Sequence, residues 1–275
     1  MKARFRRRLA LSDVSQSKLK RFIREANRRG RFTLPEQLPR TLAVVVPCYS
    51  HAAYLPDTLA SILAQTRLPD EVVFIDDCSP DATGEILRSF IAYHPWPAGP
   101  GPRLLVNDRN IGQAASLNRG IATASSDLVM ILNDDDYLMH DAVESMLALF
   151  GEYPGVALIG AHNIGISGTE ALAAAPKLST AYAGAGSPLR VHRPEEVAGY
   201  RRDDDLNMTH SSSCMFKVAW EAAGGYQTDK RKRVVPFSDR DFQIRVNALF
   251  PVAVAYARPL SFWRNDSSVD RGLNS

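Results

Sequence analysis

The sequence predicts an α/β fold: a mainly parallel, Rossmann-like sheet covered by helices on both faces, followed by an irregular C-terminal half. Three observations predict it. The apolar runs 42–46, 72–75 and 128–132 show no polar alternation, the pattern of strands buried on both faces. Segments with apolar residues at helical spacing lie between them. Each of the first four strand segments ends in a polar cluster.

Taken in order, residues 42–46 form the first expected strand. Pro56 opens a helix to Gln65, because a proline at the first helical position lacks only an N–H that has no partner there. Leu59, Ile62 and Leu63 share one face of it. Residues 72–75 make the second strand, and a helix from Ser79 carries Ile86, Leu87 and Phe90. Pro95, Pro97, Pro100 and Pro102, with Gly99 and Gly101, allow only a loop over 95–102. Strand 103–106, helix 113–124, strand 128–132, helix 141–150 and strand 156–159 follow. Beyond Gly160 the periodicity weakens. Residues 165–205, rich in Gly, Ala, Ser and Pro, read as loop and lid, and helical spacing returns at 217–223 and 239–249.

The composition is that of a soluble globular protein, with 45% hydrophobic and 23% charged residues in 275. No apolar run reaches the roughly 18 residues of a membrane span. The basic N-terminus has no apolar core after it, so a signal peptide is not expected. Cys48, Cys78 and Cys214 are far apart and show no CxxC pairing, which argues against a disulfide framework or a zinc site. The expectation is a cytoplasmic protein.

Charge divides the chain. Residues 1–40 hold 13 Lys and Arg against three acids, leaving 20 basic and 27 acidic side chains for the rest. Leu19, Phe22, Ile23 and Ala26 fall at i, i+3, i+4 and i+7 among six basic residues, so a short amphipathic helix is expected in this arm. Such a helix can lie on an anionic membrane surface, bind a partner, or dock on the body with its charges solvated. Nucleic acid fits poorly, because the body is acidic and no nucleic-acid motif is present. The chain divides into this basic arm, 1–40, and a single domain, 41–275.

Asn133-Asp134-Asp135-Asp136 follows directly on the fourth strand. Three adjacent carboxylates repel one another unless a divalent cation binds, and Mg²⁺ or Mn²⁺ takes oxygen ligands of this kind. An acidic turn, or an N-cap for the helix near Asp141, would use the same residues. The other strand ends carry Pro47-Cys48-Tyr49-Ser50-His51, Asp76-Asp77-Cys78-Ser79 and Asn107 to Gly112. In a parallel sheet these ends share an edge, where open α/β sheets bind ligands. The contents suit a nucleotide: Tyr49 offers a ring for a base, Asp77 an acceptor for an imide N–H, Gly112 close backbone approach and Asn118 amide hydrogen bonds. No GxGxxG follows the first strand and no GxxxxGK[ST] occurs, against a dinucleotide-binding dehydrogenase and a P-loop NTPase.

These segments resemble family 2 glycosyltransferases of the GT-A fold. The resemblance is carried by Val44-Val45-Val46-Pro47-Cys48-Tyr49, by Leu59 to Thr66, by Asp76-Asp77-Cys78-Ser79, by Asn110-Ile111-Gly112 with Asn118-Arg119-Gly120, and by Asn133 to Asp136. It is dense over 41–160, the expected nucleotide-sugar half. It thins over 161–275, the expected acceptor and catalytic half, where Gly224-Gly225-Tyr226, Ser238-Asp239-Arg240-Asp241-Phe242 and Phe262-Trp263-Arg264 continue it.

The resemblance implies metal-dependent, inverting transfer of a sugar from a nucleotide-diphosphate sugar, with UDP the expected carrier, to a glycan or other acceptor; the basic arm adds the expectation of a lipid-linked acceptor at the cytoplasmic face of a membrane. Pro47, Tyr49, Asp77, Gly112, Asn118 and Asp134 would bind the donor nucleotide, and Asp135 and Asp136 the Mn²⁺ or Mg²⁺. Asp239 would be the general base that inversion requires opposite the leaving group. Asn133 and Ser238 stand where the family usually has acids, so a nucleotide-sugar-binding protein without catalysis is the alternative. A nucleotidyltransferase is weaker, because residues 47–51 lack the glycine- and arginine-rich loop of that class.

Overall fold

The computed structural model describes residues 16–97, 99–167, 189–200, 206–228 and 238–265. Helices α1 (Gln16–Arg29), α2 (Leu55–Leu63), α3 (Thr83–Tyr93), α4 (Gln113–Thr123), α5 (Ala142–Glu152), α6 (Lys217–Ala223) and α7 (Ser238–Asn247) surround one sheet. Its strands are β1 (Leu42–Cys48), β2 (Glu71–Asp76), β3 (Gly101–Val106), β4 (Leu128–Ile131), β5 (Tyr137–Leu138), β6 (Leu158–Ile166), β7 (Leu189–His192), β8 (Cys214–Phe216) and β9 (Val252–Arg264). The order is β3-β2-β1-β4-β8-β6-β9-β5, with β7 paired to β9.

The first four strands are mutually parallel. Antiparallel β8 joins β4 to β6, so β6, and β9 parallel to it, run in the direction of β1. The carboxyl ends of these main strands therefore lie toward one edge. Every residue of β1, β2 and β4 is buried, which is why those runs carry no polar alternation.

Side chains alternate between two cores. Val44, Val46, Phe74, Met130 and Phe216 face one core, which Leu59 and Ile62 of α2, Leu87 of α3 and Met146 of α5 fill. Val45, Ile75, Ile131 and Met215 face the other, with Leu117 and Ile121 of α4, Ala219 of α6 and Phe242 of α7.

Several boundaries differ from the sequence expectation. Strand β3 begins at Gly101, inside the proline-rich stretch, because β3 is the sheet edge and an edge strand tolerates Pro102. Helix α3 begins at Thr83 rather than Ser79, since Asp76 Oδ1 accepts the Ser79 N–H at 2.9 Å and holds that segment in a turn. Strands β5, β7, β8 and β9 were not expected. The expected loop and lid contains β7 and a 3₁₀ helix at Pro194–Gly199, and 168–188 and 201–205 lie outside the described residues.

The arm's helix α1 turns its apolar face inward. Leu19 and Phe22 pack on the second core, Ala26 is 1% exposed, and Arg29 Nη2 donates to the Ala222 carbonyl at 3.0 Å. Lys18, Lys20, Arg21, Arg24 and Arg28 remain exposed. No helix among the described residues is long and apolar enough to cross a membrane.

Candidate active site

The loops after β1, β2 and β4 and the start of α4 meet at the carboxyl edge. Pro47 and Cys48 are the last residues of β1, and Tyr49 follows them, 39% exposed. Its N–H donates to Asp134 Oδ2 at 3.0 Å, which ties the first strand end to the acidic loop. His51 Nδ1 lies 2.8 Å from the other oxygen of Asp134.

The three adjacent acids occupy three environments. Asp134 is buried between Tyr49 and His51, and burial raises its carboxyl despite the imidazole. Burial alone would lower His51, but the carboxylates of Asp134, Asp135 and Asp81 outweigh it and hold the ring above its ordinary value. Asp135 is half-buried. Asp136 turns inward: its oxygens accept from Ser211 Oγ at 2.5 Å, Asn133 Nδ2 at 3.1 Å and the Arg264 N–H at 3.2 Å. Burial and the charge of Asp135 push Asp136 up to about 7.

Ligand atoms of His51, Asp134 and Asp135 come within 4.8 Å of one another. Two carboxylates and an imidazole suit a divalent cation of the Mn²⁺ type, so the residues present fit the implied metal. The N-cap alternative does not apply to the triplet. Helix α5 is preceded by Asp141, which makes no capping bond and pairs instead with Arg258.

Asp77 is a hub. It accepts from Asn107 Nδ2 at 2.7 Å, the Ile111 N–H at 2.8 Å and the Gly112 N–H at 2.7 Å. Gly112 has φ +89° at the cap of α4, a conformation only glycine adopts without strain. Asp77 thus shapes the turn that opens α4. Asn118, expected at the donor, points to the far half, where its amide donates to the Tyr226 carbonyl and accepts the Tyr226 N–H. Gly225 makes room, since a Cβ there would sit 2.6 Å from Asn118 Oδ1.

The C-terminal half meets the acidic loop at Ser211. Ser211 Oγ also receives the Asn133 N–H at 3.0 Å. Its neighbour His210 puts Nε2 3.1 Å from the Tyr226 hydroxyl. Tyr226 stacks on Phe242 of α7, the helix whose first turn carries Asp239. Burial lowers His210, while the Asp239 charge acts in the opposite direction; the same charge, after burial, raises Tyr226. Asp239 therefore stands within electrostatic reach of the buried pair.

Arg264 at the end of β9 joins these parts. It is 6% exposed, with Nη2 3.2 Å from Asp57, Nε donating to the Asp135 carbonyl at 3.2 Å, and the guanidinium over the Tyr54 ring. No role for His51, His210, Ser211 or Arg264 follows from the sequence. His51 sits in the first polar strand end and Arg264 in the Phe262-Trp263-Arg264 segment of the family resemblance, whereas His210 and Ser211 belong to a segment without legible periodicity.

A mixed but mainly parallel sheet with an acidic loop at its carboxyl edge is the GT-A class of glycosyltransferase domain. The chain belongs to glycosyltransferase family 2, whose sequence profile, "Glycosyl transferase family 2", matches residues 43–216. It is 32% identical over 120 residues to glycosyltransferase GlyA of Streptococcus pneumoniae, covering 43% of this chain and 16% of GlyA. It is 30% identical over 135 residues to poly-beta-1,6-N-acetyl-D-glucosamine synthase of Staphylococcus epidermidis, covering 48% of this chain and 31% of that protein. The matches thus span well under half the length of these relatives. The S. aureus TarS 1-349 structure in complex with UDP-GlcNAc superposes with a TM-score of 0.62 and 15% identity over 83% of this chain and 60% of that one, a likeness of fold.

Proposed function

We propose that this domain transfers a sugar, with inversion, from a nucleotide-diphosphate sugar to a glycan or lipid-linked acceptor. The observation that carries the reading is the convergence of Tyr49, His51, Asp134 and Asp135 at the carboxyl edge; Asp239 acts electrostatically on His210 and Tyr226, beside the Ser211 that bonds the acidic loop. UDP is the donor carrier in this reading, supported by the TarS complex with UDP-GlcNAc and by the polymer-synthase relative.

The residues divide the work. Tyr49 stacks on the base, Asp77 and Gly112 form the rim it rests against, and Asp134 meets the ribose. Asp135 with Asp134 would hold the Mn²⁺ or Mg²⁺, which would supply Lewis-acid stabilisation of the leaving diphosphate. Asp136 shapes the loop from beneath, since Ser211, Asn133 and Arg264 occupy its oxygens. Asp239 takes the acceptor hydroxyl proton on the face opposite the diphosphate, as inversion demands. Residues 41–160 serve the donor and 161–275 the acceptor. The exposed basic face of α1 rests on an anionic membrane surface at the cytoplasmic side.

The test is incubation with Mn²⁺ and a panel of nucleotide-sugars and candidate acceptors, measuring nucleoside diphosphate release. Release from one donor supports transfer. Tight donor binding without release from any donor favours the non-catalytic alternative that Asn133 and Ser238 suggest.

A further inference from the structure

We propose that His51 is a direct ligand of the divalent cation, together with Asp134 and Asp135, and that its imidazole makes the site select Mn²⁺ over Mg²⁺. The proposal rests on the metal-dependent reading above and deepens it.

The geometry comes first. Neighbouring ligands of an octahedral ion lie √2 times the bond length apart, roughly 2.9 Å for the ~2.0–2.1 Å bonds of Mg²⁺ and a few tenths of an ångström more for the larger Mn²⁺. His51 Nδ1 and Asp134 Oδ1 form a hydrogen bond of 2.8 Å, so a cation needs only a small parting of the two atoms to take both as ligands. An Asp135 oxygen completes a set within 4.8 Å. The second oxygen of Asp134 is occupied by the Tyr49 N–H, so Oδ1 is the one left facing His51.

The imidazole is held in place. Ser50 has φ +57°, which reverses the chain just before His51. The Ser50 N–H donates to Ser79 Oγ at 3.2 Å and the Ala52 N–H to Asp81 Oδ2 at 3.0 Å, pinning both neighbours. The His51 carbonyl accepts the N–H groups of Tyr54 and Leu55, each at 2.9 Å. The ring meets Tyr54 edge-on at 5.8 Å. Four main-chain contacts on one short loop preorganise a side chain beyond what an exposed turn requires.

The chemistry then sets the metal. Carboxylate oxygens suit Mg²⁺ and Mn²⁺ alike, whereas an imidazole nitrogen is a poor ligand for the hard Mg²⁺ and adds affinity only for the transition ion of the two. With Asp136 turned into the protein, His51 is the group that shifts this site toward Mn²⁺.

The test is electron spin-echo modulation of Mn²⁺ bound to the full chain with UDP, alongside Mn²⁺ and Mg²⁺ titrations. Wild type is expected to show ¹⁴N coupling of a directly bound imidazole. His51→Gln should lose that signal and bind Mn²⁺ about 10- to 100-fold more weakly, with Mg²⁺ affinity nearly unchanged. Bound Mn²⁺ without ¹⁴N coupling in wild type, or coupling that persists in folded His51→Gln, overturns the proposal and leaves the transferase reading intact. Failure of wild type to bind Mn²⁺ with UDP overturns both the ligand assignment and the metal dependence. The wild-type signal decides even where a variant fails to fold.

Discussion

Asn118 on α4 grips the main chain of Tyr226 from both directions, its Nδ2 donating to the carbonyl and its Oδ1 accepting the N–H, each at 2.8 Å. Trp220 Nε1 donates to the same Oδ1 at 3.0 Å. One side chain thus fastens α4 to the segment whose tyrosine meets His210 and feels the charge of Asp239. Asn118→Ala leaves partly buried main-chain groups unpaired. It should cost about 1–3 kcal/mol, read as a fall in the denaturant midpoint, and lower turnover more than donor affinity. Equal loss of both kinetic terms would deny the link to the catalytic side.

Asp239→Asn should keep donor binding, followed by calorimetry with UDP and Mn²⁺. Nucleoside diphosphate release should fall about 10²- to 10⁴-fold, the range for loss of a general base. Turnover within a few-fold of wild type would move the base elsewhere.

Asp135 and Asp136 are adjacent but differently placed, Asp135 half-buried and Asp136 buried on Ser211, Asn133 and Arg264. Asp135→Asn should abolish Mn²⁺-dependent donor binding. Asp136→Asn should retain it but melt lower, because an amide NH2 would then face at least one of the donors on the Asp136 oxygens, Ser211 Oγ, Asn133 Nδ2 or the Arg264 N–H. Parallel titrations of the two variants decide, and loss of metal dependence in Asp136→Asn would reverse the assignment.

Asp127 supplies a pH test of stability. Its carboxylate accepts the Arg40 N–H at 2.8 Å and the Thr41 N–H at 3.1 Å. Burial pushes it up, but these bonds, the Thr41 side chain and the Arg40 charge together hold it below its ordinary value. A group depressed in the folded state contributes stability above its unfolded pKa and loses it as pH falls through the folded one. Asp127→Asn should therefore melt lower than wild type at pH 7, with the gap closing below about pH 4. A gap independent of pH would show that the charge contributes nothing.

The two faces of α1 separate by substitution. Ala26→Glu buries a charge against α6 and should cost about 2 kcal/mol or more, lowering the melting temperature by at least about 4 °C. Lys20→Glu with Arg24→Glu should leave melting unchanged and reduce sedimentation with anionic vesicles in a salt-sensitive way. Vesicle binding that survives the charge reversal would remove the membrane role of this face.

The amino-acid sequence by itself determined the parallel core and its edge. Runs buried on both faces leave no polar alternation, so β1, β2 and β4 and the polar clusters after them were legible residue by residue. It also carried the family, because Asp77, Gly112 and the acidic triplet lie at short, ordered separations along the chain. Tertiary structure alone decided how those residues are used. Asp136 turns inward because Ser211 and Arg264 reach it from 75 and 128 residues away. Asn118 serves Tyr226, 108 residues on, and His51 meets Asp134 across 83. Strands β8 and β9 escaped notice for a related reason. Their residues are placed by pairing with β4, β6 and β5 rather than by any local period. Contacts between distant segments depend on how the layers pack, and no pattern within a window of one chain segment encodes them.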